Sequence, residues 1–125
     1  MVRRRSGIAL RDASRVYFRR HEAELLELVF VGAISELVLE KTSGVPARVH
    51  RRTLLLDCES MTTFEPEAQA PALRLFKTLS ELGVRRLSCV APFSAQRVTV
   101  AALAFVAELD LELFSDRARA LSSCT

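Results

Sequence analysis

The chain has 125 residues, a length that suits one domain and leaves little room for two. Half of its residues are hydrophobic and 26% are charged, a composition that supports a packed core and excludes a fully disordered chain. The formal net charge is only +3, and acidic and basic residues are interspersed.

Composition also argues against membrane, secreted and nucleic-acid-binding proteins. No apolar run reaches the roughly 18 residues of a membrane helix. The basic cluster Arg3-Arg4-Arg5 is not followed by the apolar region of a secretory signal. The arginine clusters have no aromatic stacking platform beside them, so no nucleic-acid partner is expected. We expect a cytoplasmic protein in which residues 1–10 form a flexible basic tail before one domain over 11–125.

The first half of the chain predicts two strands and a short helix. A β-type run occupies residues 12–18, and residues 24–31 form an apolar run that stops at Gly32 and suits a buried strand. Residues 33–41 suit a short helix. Periodicity alone allows the alternative of one long helix over 22–41, broken at Gly32.

From residue 53 onward, predicted strands and helices alternate. The apolar run 53–56 leads into Asp57, as in a strand buried on both faces of a parallel sheet, and a polar loop is predicted over 58–64. Residues 66–82 carry one apolar stripe at helical spacing. Pro71 lies either in the first turn of that helix or at a kink.

The last third continues the alternation. Strands are predicted over 84–90 and 109–114, and helices over 94–104 and 115–121. Helix N-caps are expected at Ser35, at Ser94 and at the pair Ser115-Asp116. The pattern predicts a single α/β domain with a mixed, mostly parallel sheet of about 4–6 strands, covered by about 4 helices.

The stretch from Thr53 to Leu121 resembles the STAS domain, the domain of sulfate transporters and anti-sigma-factor antagonists. The similarity lies in the order of elements and in four short motifs, Leu54-Leu55-Leu56-Asp57, Ser60-Met61-Thr62-Thr63-Phe64, Leu111-Glu112-Leu113-Phe114-Ser115 and Ala118-Arg119-Ala120-Leu121. Residues 1–52 match the family only in their strand-Gly-helix outline. The resemblance implies a non-enzymatic regulatory domain with a protein partner, such as an anti-sigma-factor kinase or a larger signalling assembly.

The segment Glu65-Pro66-Glu67-Ala68 stands where the family carries its phosphorylatable Asp-Ser-Ser/Thr-Gly motif. The phosphoacceptor position is then Glu67, and a Ser/Thr kinase cannot phosphorylate a carboxylate. The resemblance therefore implies that the usual phosphorylation switch is missing. Glu67 either imitates the phosphorylated state with its charge at the helix start, or is an ordinary first-turn acid.

In the family, the partner docks around the loop before the second helix and that helix's first turn. The resemblance therefore implies a partner-binding surface, here called the 60–69 surface, of Ser60, Met61, Thr62, Thr63, Phe64, Glu65, Glu67 and Gln69. Met61 and Phe64 are either exposed anchors for the partner or buried side chains that fix the loop. The hydroxyls of Ser60, Thr62 and Thr63 remain alternative phosphoacceptors.

Catalysis, metal binding and cofactors have little support. The chain has no nucleophile elbow and no phosphate-binding glycine loop. Asp57 ends a strand as in response-regulator receivers, but the lysine that such a site needs is missing. His21 and His50 lie in predicted turns, where a lone histidine is usually solvated. The cysteines have no metal-binding spacing and are predicted to act as small apolar side chains: Cys58, Cys89 and Cys124.

Two other functions stay open. A helix over 94–106, rich in Ala and Val, could line a pocket for a small ligand or a lipid. The apolar stretch 98–109 exceeds what one core needs, and a homodimer would hide the excess.

Overall fold

The centre of the domain is a five-stranded sheet with its strands in sequence order. It is seen in a computed structural model that describes residues 14–124, so the tail predicted for residues 1–10 lies outside the described part. The strands are β1 (Arg15–Arg20), β2 (Leu26–Ile34), β3 (Thr53–Phe64), β4 (Arg86–Val90) and β5 (Asp110–Phe114). β1 is antiparallel to β2, and all later neighbours are parallel. The predicted mixed, mostly parallel sheet is confirmed.

Four α-helices accompany the sheet in the described residues. They are α1 (Glu36–Glu40), α2 (Gln69–Glu81), α3 (Ser94–Ala107) and α4 (Arg117–Ser122), and 3-10 turns precede β2 and α2. The side chains of Ser35 and Asp116 accept hydrogen bonds from the first turns of α1 and α4, as predicted. The longest of these helices has 14 residues, and none is long and apolar enough to cross a membrane.

The two faces of the sheet are covered unequally. One face meets α1, α2 and α3 in the main core, where Leu54, Leu56 and Phe76 are almost completely buried. On the other face, the described residues form a smaller cluster in which Leu55 packs with Ala120 of α4 and with Cys124. Successive side chains of β3 point to opposite faces of the sheet, so Leu54 and Leu56 face the main core while Leu55 faces α4. All three cysteines are buried, in line with the predicted apolar role.

The structure corrects three of the predicted boundaries. β2 continues through Gly32, at φ 78°, to Ile34, which excludes the long helix over 22–41. Because β2 is longer than predicted, β3 has a partner as far as Phe64, and the predicted loop over 58–64 is wrong. Ser94 is the first helical residue of α3 and not its N-cap; Phe93 precedes it, and the Gln96 side chain accepts the Phe93 N–H.

Pro71 lies near the start of α2, two residues after its first residue Gln69. Its missing N–H is tolerated there, because the first turn has no intrahelical acceptor for that group. The first-turn alternative for Pro71 is therefore correct.

Candidate functional site

The 60–69 surface lies where β3 ends and α2 begins. Most of its side chains are exposed: Ser60, Thr62, Thr63, Glu65, Glu67 and Gln69. Met61 is only 6% exposed and belongs to the main core, and Phe64 is half-buried against the same core. The two apolar residues therefore fix the segment and are not exposed anchors.

The end of β3 is held rigidly by the start of α3. β3 extends beyond its last pair with β4, Asp57 with Val90, so its outer edge needs other hydrogen-bond partners. The buried Gln96 side chain supplies one, because its Nε2 donates to the Met61 carbonyl at 2.9 Å. Its Oε1 accepts the Phe93 N–H at 3.1 Å. One side chain thus ties the 60–69 surface to α3.

An apolar groove continues from this surface between α2 and α3. Its volume is about 280 Å³, and it is lined by Gln69, Ala70, Leu73, Ala102, Leu103 and Val106. Gln69 belongs to both the groove and the 60–69 surface. The sequence prediction that residues 94–106 could line a pocket agrees with this groove, although the groove is open to solvent and is not a closed cavity.

The outer face of α3 is apolar and exposed. Val98 is 70% exposed, Phe105 is 81% exposed, and Ala101 and Ala102 between them are also exposed. We call these four residues the α3 stripe. The only charged residue of α3, Arg97, donates to the Ala91 carbonyl and to Ser115 Oγ, away from the stripe.

A buried ionic cluster on the opposite face of the sheet was not predicted. Glu27 on β2 has no exposed surface and accepts hydrogen bonds from three cationic or potentially cationic side chains. Its Oε1 lies 3.0 Å from Arg19 Nη2, 2.6 Å from His21 Nε2 and 2.9 Å from Arg117 Nη2. Arg117 also contacts Glu27 Oε2 and lies 2.7 Å from Asp57 Oδ2. Arg117 thereby joins α4 to both β2 and β3.

The ionic cluster keeps Glu27 charged despite its burial. Burial alone raises the pKa of Glu27, but the hydrogen bonds from Arg117, His21 and Arg19 outweigh it and lower this pKa to about 2. The same hydrogen bonding to Glu27 raises the pKa of Arg117 above its ordinary value. Both carboxylate oxygens of Glu27 are occupied, so the cluster's geometry suits holding α4 on the sheet.

The cluster also changes two sequence interpretations. His21 is not a solvated turn residue, because its ring contacts the buried Glu27. Asp57 is paired with Arg117 and does not stand free at a strand end as a receiver phosphoacceptor would. Within residues 14–124, no group of three or more His, Cys, Asp or Glu side chains could hold a metal ion.

The sequence did contain a signal for the cluster. Glu27 is the one charged residue inside the apolar run 25–31. A charge in a strand that is otherwise apolar must be paired when the strand is buried. The α3 stripe had a similar signal, since residues 98–107 contain no charged residue. What the sequence could not provide was the identity of the partners, which come from distant segments.

Comparison with known proteins gives similarity in structure only. The sequence matches no family profile and no curated protein. The structure is similar to that of an uncharacterised protein of the DUF3478 family from Shewanella loihica with a SpoIIAA-like fold, with a TM-score of 0.62 and 14% identity over 88% of this chain and 92% of that chain. It is also similar to an anti-sigma factor antagonist from Mycobacterium paratuberculosis, with a TM-score of 0.55 and 11% identity over 87% of this chain and 92% of that chain.

Proposed function

Starting from a STAS-like fold, we propose that the chain is a non-enzymatic, cytoplasmic regulatory module that binds a protein partner through the 60–69 surface. The observation that carries the proposal is a set of exposed polar side chains on a segment that buried side chains hold in place. Thr62, Thr63 and Glu67 face solvent, while Met61 and Gln96 are buried beneath them. A surface that is already ordered loses little entropy when a partner docks.

The charge of the 60–69 surface defines the kind of partner. Glu65 and Glu67 are exposed, and neither has an ion-pair partner among residues 14–124. We therefore expect a partner that presents arginine or lysine side chains to this surface. An anti-sigma-factor kinase or a subunit of a signalling assembly with such a basic patch fits the proposal.

The proposal includes the absence of the usual phosphorylation switch. Glu67 lies in the 3-10 turn Pro66–Ala68, immediately before α2, with its side chain exposed. In this proposal, the fixed negative charge of Glu67 imitates part of the larger charge that a phosphorylated residue would carry here. The exposed hydroxyls of Ser60, Thr62 and Thr63 remain the alternative phosphoacceptors.

Affinity capture from a lysate of the source cell tests this function. The test variant is Thr63→Arg, Glu67→Lys, which changes two exposed side chains and leaves the buried Met61 intact. The control is Ala118→Arg, Glu22→Lys, which makes the same kinds of change at exposed positions elsewhere. We expect one protein to be captured by the wild type and by the control and to be lost by the test variant. Equal capture by all three would contradict the proposal.

A second candidate function is the binding of a small apolar ligand or lipid in the groove between α2 and α3. The groove supports it because five of its six lining residues are apolar. Native mass spectrometry of the purified protein tests it: a lipid that stays bound to the wild type and is lost in Ala70→Arg, a change to an exposed lining residue outside the α3 stripe, would favour this function.

A further inference from the structure

The α3 stripe has the composition of an interface. A helix that is apolar on its core side and on its outer side is normally covered on both. Here the core side is covered by the sheet, while Val98 and Phe105 remain 70% and 81% exposed. Beside them, Val106 is 51% exposed. Single exposed apolar residues are ordinary, but a contiguous set on one charge-free helix face indicates an interaction surface.

The order of residues in the stripe indicates what covers it. The large side chains, Val98 and Phe105, lie at the two ends, and the small side chains, Ala101 and Ala102, lie in the middle. The small side chains in the middle let another helix axis approach closely, while the larger ones pack at either end. From this we propose that the α3 stripe is the interface of a two-fold homodimer, in which two α3 helices cross antiparallel at Ala101 and Ala102.

Antiparallel crossing places complementary side chains opposite each other. Val98 of one copy meets Phe105 of the other, twice by symmetry, and the alanines allow the helix axes to approach closely. Because none of the four stripe residues is charged, their pairing buries no charged side chain.

Charge at the ends of α3 favours the same arrangement. Glu108 follows α3 directly, is exposed and has no ion-pair partner within residues 14–124. In the antiparallel dimer, Glu108 lies beside Ala95 in the first turn of the other copy's α3. A carboxylate is stabilised at a helix N-terminus, whereas a parallel pairing would place the two Glu108 side chains together.

The proposed interface is small, so the dimer is expected to be reversible. One helix face per copy is at the lower end of specific interfaces, and a dissociation constant on the order of micromolar is expected. The two surfaces adjoin at the groove, because Gln69 and Ala102 both line it. The variants that test the dimer lie at positions 98 and 105, and those that test the partner lie at positions 63 and 67, so the two proposals are tested separately.

Sedimentation velocity of the purified chain over a range of concentrations tests the dimer. Wild type should be dimeric at high concentration, while Val98→Lys and Phe105→Glu should each be monomeric at the same concentration, with dimerisation weakened at least about tenfold. Leu37→Glu is the matched control, because Leu37 is 59% exposed on α1 and lies outside the stripe. This control should dimerise like the wild type.

Mixing the two monomeric variants tests the antiparallel geometry. One mixed dimer contains Lys at position 98 facing Glu at position 105, and its other pair is the native Val98 with Phe105. We expect an equimolar mixture of Val98→Lys and Phe105→Glu to regain the dimer. The proposal would be overturned by a monomeric wild type at all concentrations, by a Phe105→Glu dimer as strong as the wild type, or by a mixture that remains monomeric while circular dichroism shows both variants folded.

Discussion

Glu27 lies inside the sheet with no exposed surface, and its charge is balanced by side chains from three separate segments. Arg19 comes from β1, His21 from the turn that follows β1, and Arg117 from α4. Burying a carboxylate is costly unless such partners replace its water. The cluster is therefore one of the contacts that hold the short helix α4 to the sheet, together with the Ser88 hydroxyl that donates to the Ala120 carbonyl.

Glu27 should make folding stability sensitive to acid. Its pKa of about 2 in the folded chain lies below the ordinary value of 4.5. The charged form therefore adds stability above pH 4.5, and this contribution, up to about 3 kcal/mol, is lost as pH falls toward 2. Urea unfolding at several pH values should show a smaller loss of stability between pH 4.5 and 2.5 for Glu27→Gln than for the wild type. Parallel pH profiles for the two proteins would refute the role given to Glu27.

Removing the Arg117 side chain should lower the free energy of unfolding more than removing the Arg119 side chain on the same helix. Arg117→Ala removes the one guanidinium that donates to both Glu27 and Asp57, and it leaves the buried Glu27 carboxylate less compensated. We expect a loss of about 2 kcal/mol in the free energy of unfolding. This is less than the loss expected for breaking a fully buried ion pair, because Arg117 is partly exposed. Arg119→Ala removes an exposed guanidinium and should change stability by less than about 0.5 kcal/mol. Similar urea midpoints for both variants would contradict the account.

At the scale of elements, the central connection is between the end of β3 and the start of α3. Gln96 was expected only as part of a helix, yet it satisfies the Met61 carbonyl and the Phe93 N–H at once. The sequence did not predict this connection, because residues 58–64 have a polar composition typical of a loop. Their strand conformation depends on pairing with β2, which continues past Gly32.

Gln96→Ala should destabilise the chain by about 2 kcal/mol, because two backbone groups lose a buried partner. Gln69→Ala is the matched control, since Gln69 is exposed at the start of α2, and it should have little effect. Thermal unfolding compares the two variants. Hydrogen exchange at the Phe93 amide should also become faster in Gln96→Ala; unchanged exchange together with an unchanged midpoint would show that the connection contributes little.

At the scale of the whole molecule, the sequence predicted the architecture better than the contacts. The alternation of apolar strands and amphipathic helices from residue 53 onward was sufficient to predict the parallel part of the sheet. The first half was predicted in outline, and its uncertainty centred on Gly32, where local periodicity fits both a strand and a helix. The partners of Glu27 in the ionic cluster and the α2 side of the groove could not be predicted, because they come from segments that are far apart in sequence.

The same limit applies to the 60–69 surface. The resemblance predicted its segment, but the sequence could not decide whether Met61 and Phe64 are exposed. The structure buries Met61 and leaves Thr62, Thr63 and Glu67 exposed, so the proposed recognition is polar and electrostatic. This changes the choice of test variants, because a substitution at Phe64 would damage the core to which it packs.

The most direct test of the proposed function is the affinity for the captured protein, measured by calorimetric titration with wild type, Glu67→Lys and Glu22→Lys. Both substitutions reverse one exposed acidic charge, but only Glu67 lies on the 60–69 surface. We predict that Glu67→Lys raises the dissociation constant at least about tenfold, the effect of losing one charged contact and adding a repulsive one. Glu22→Lys should bind like the wild type. Equal dissociation constants for all three proteins would contradict the proposal that the chain acts through the 60–69 surface.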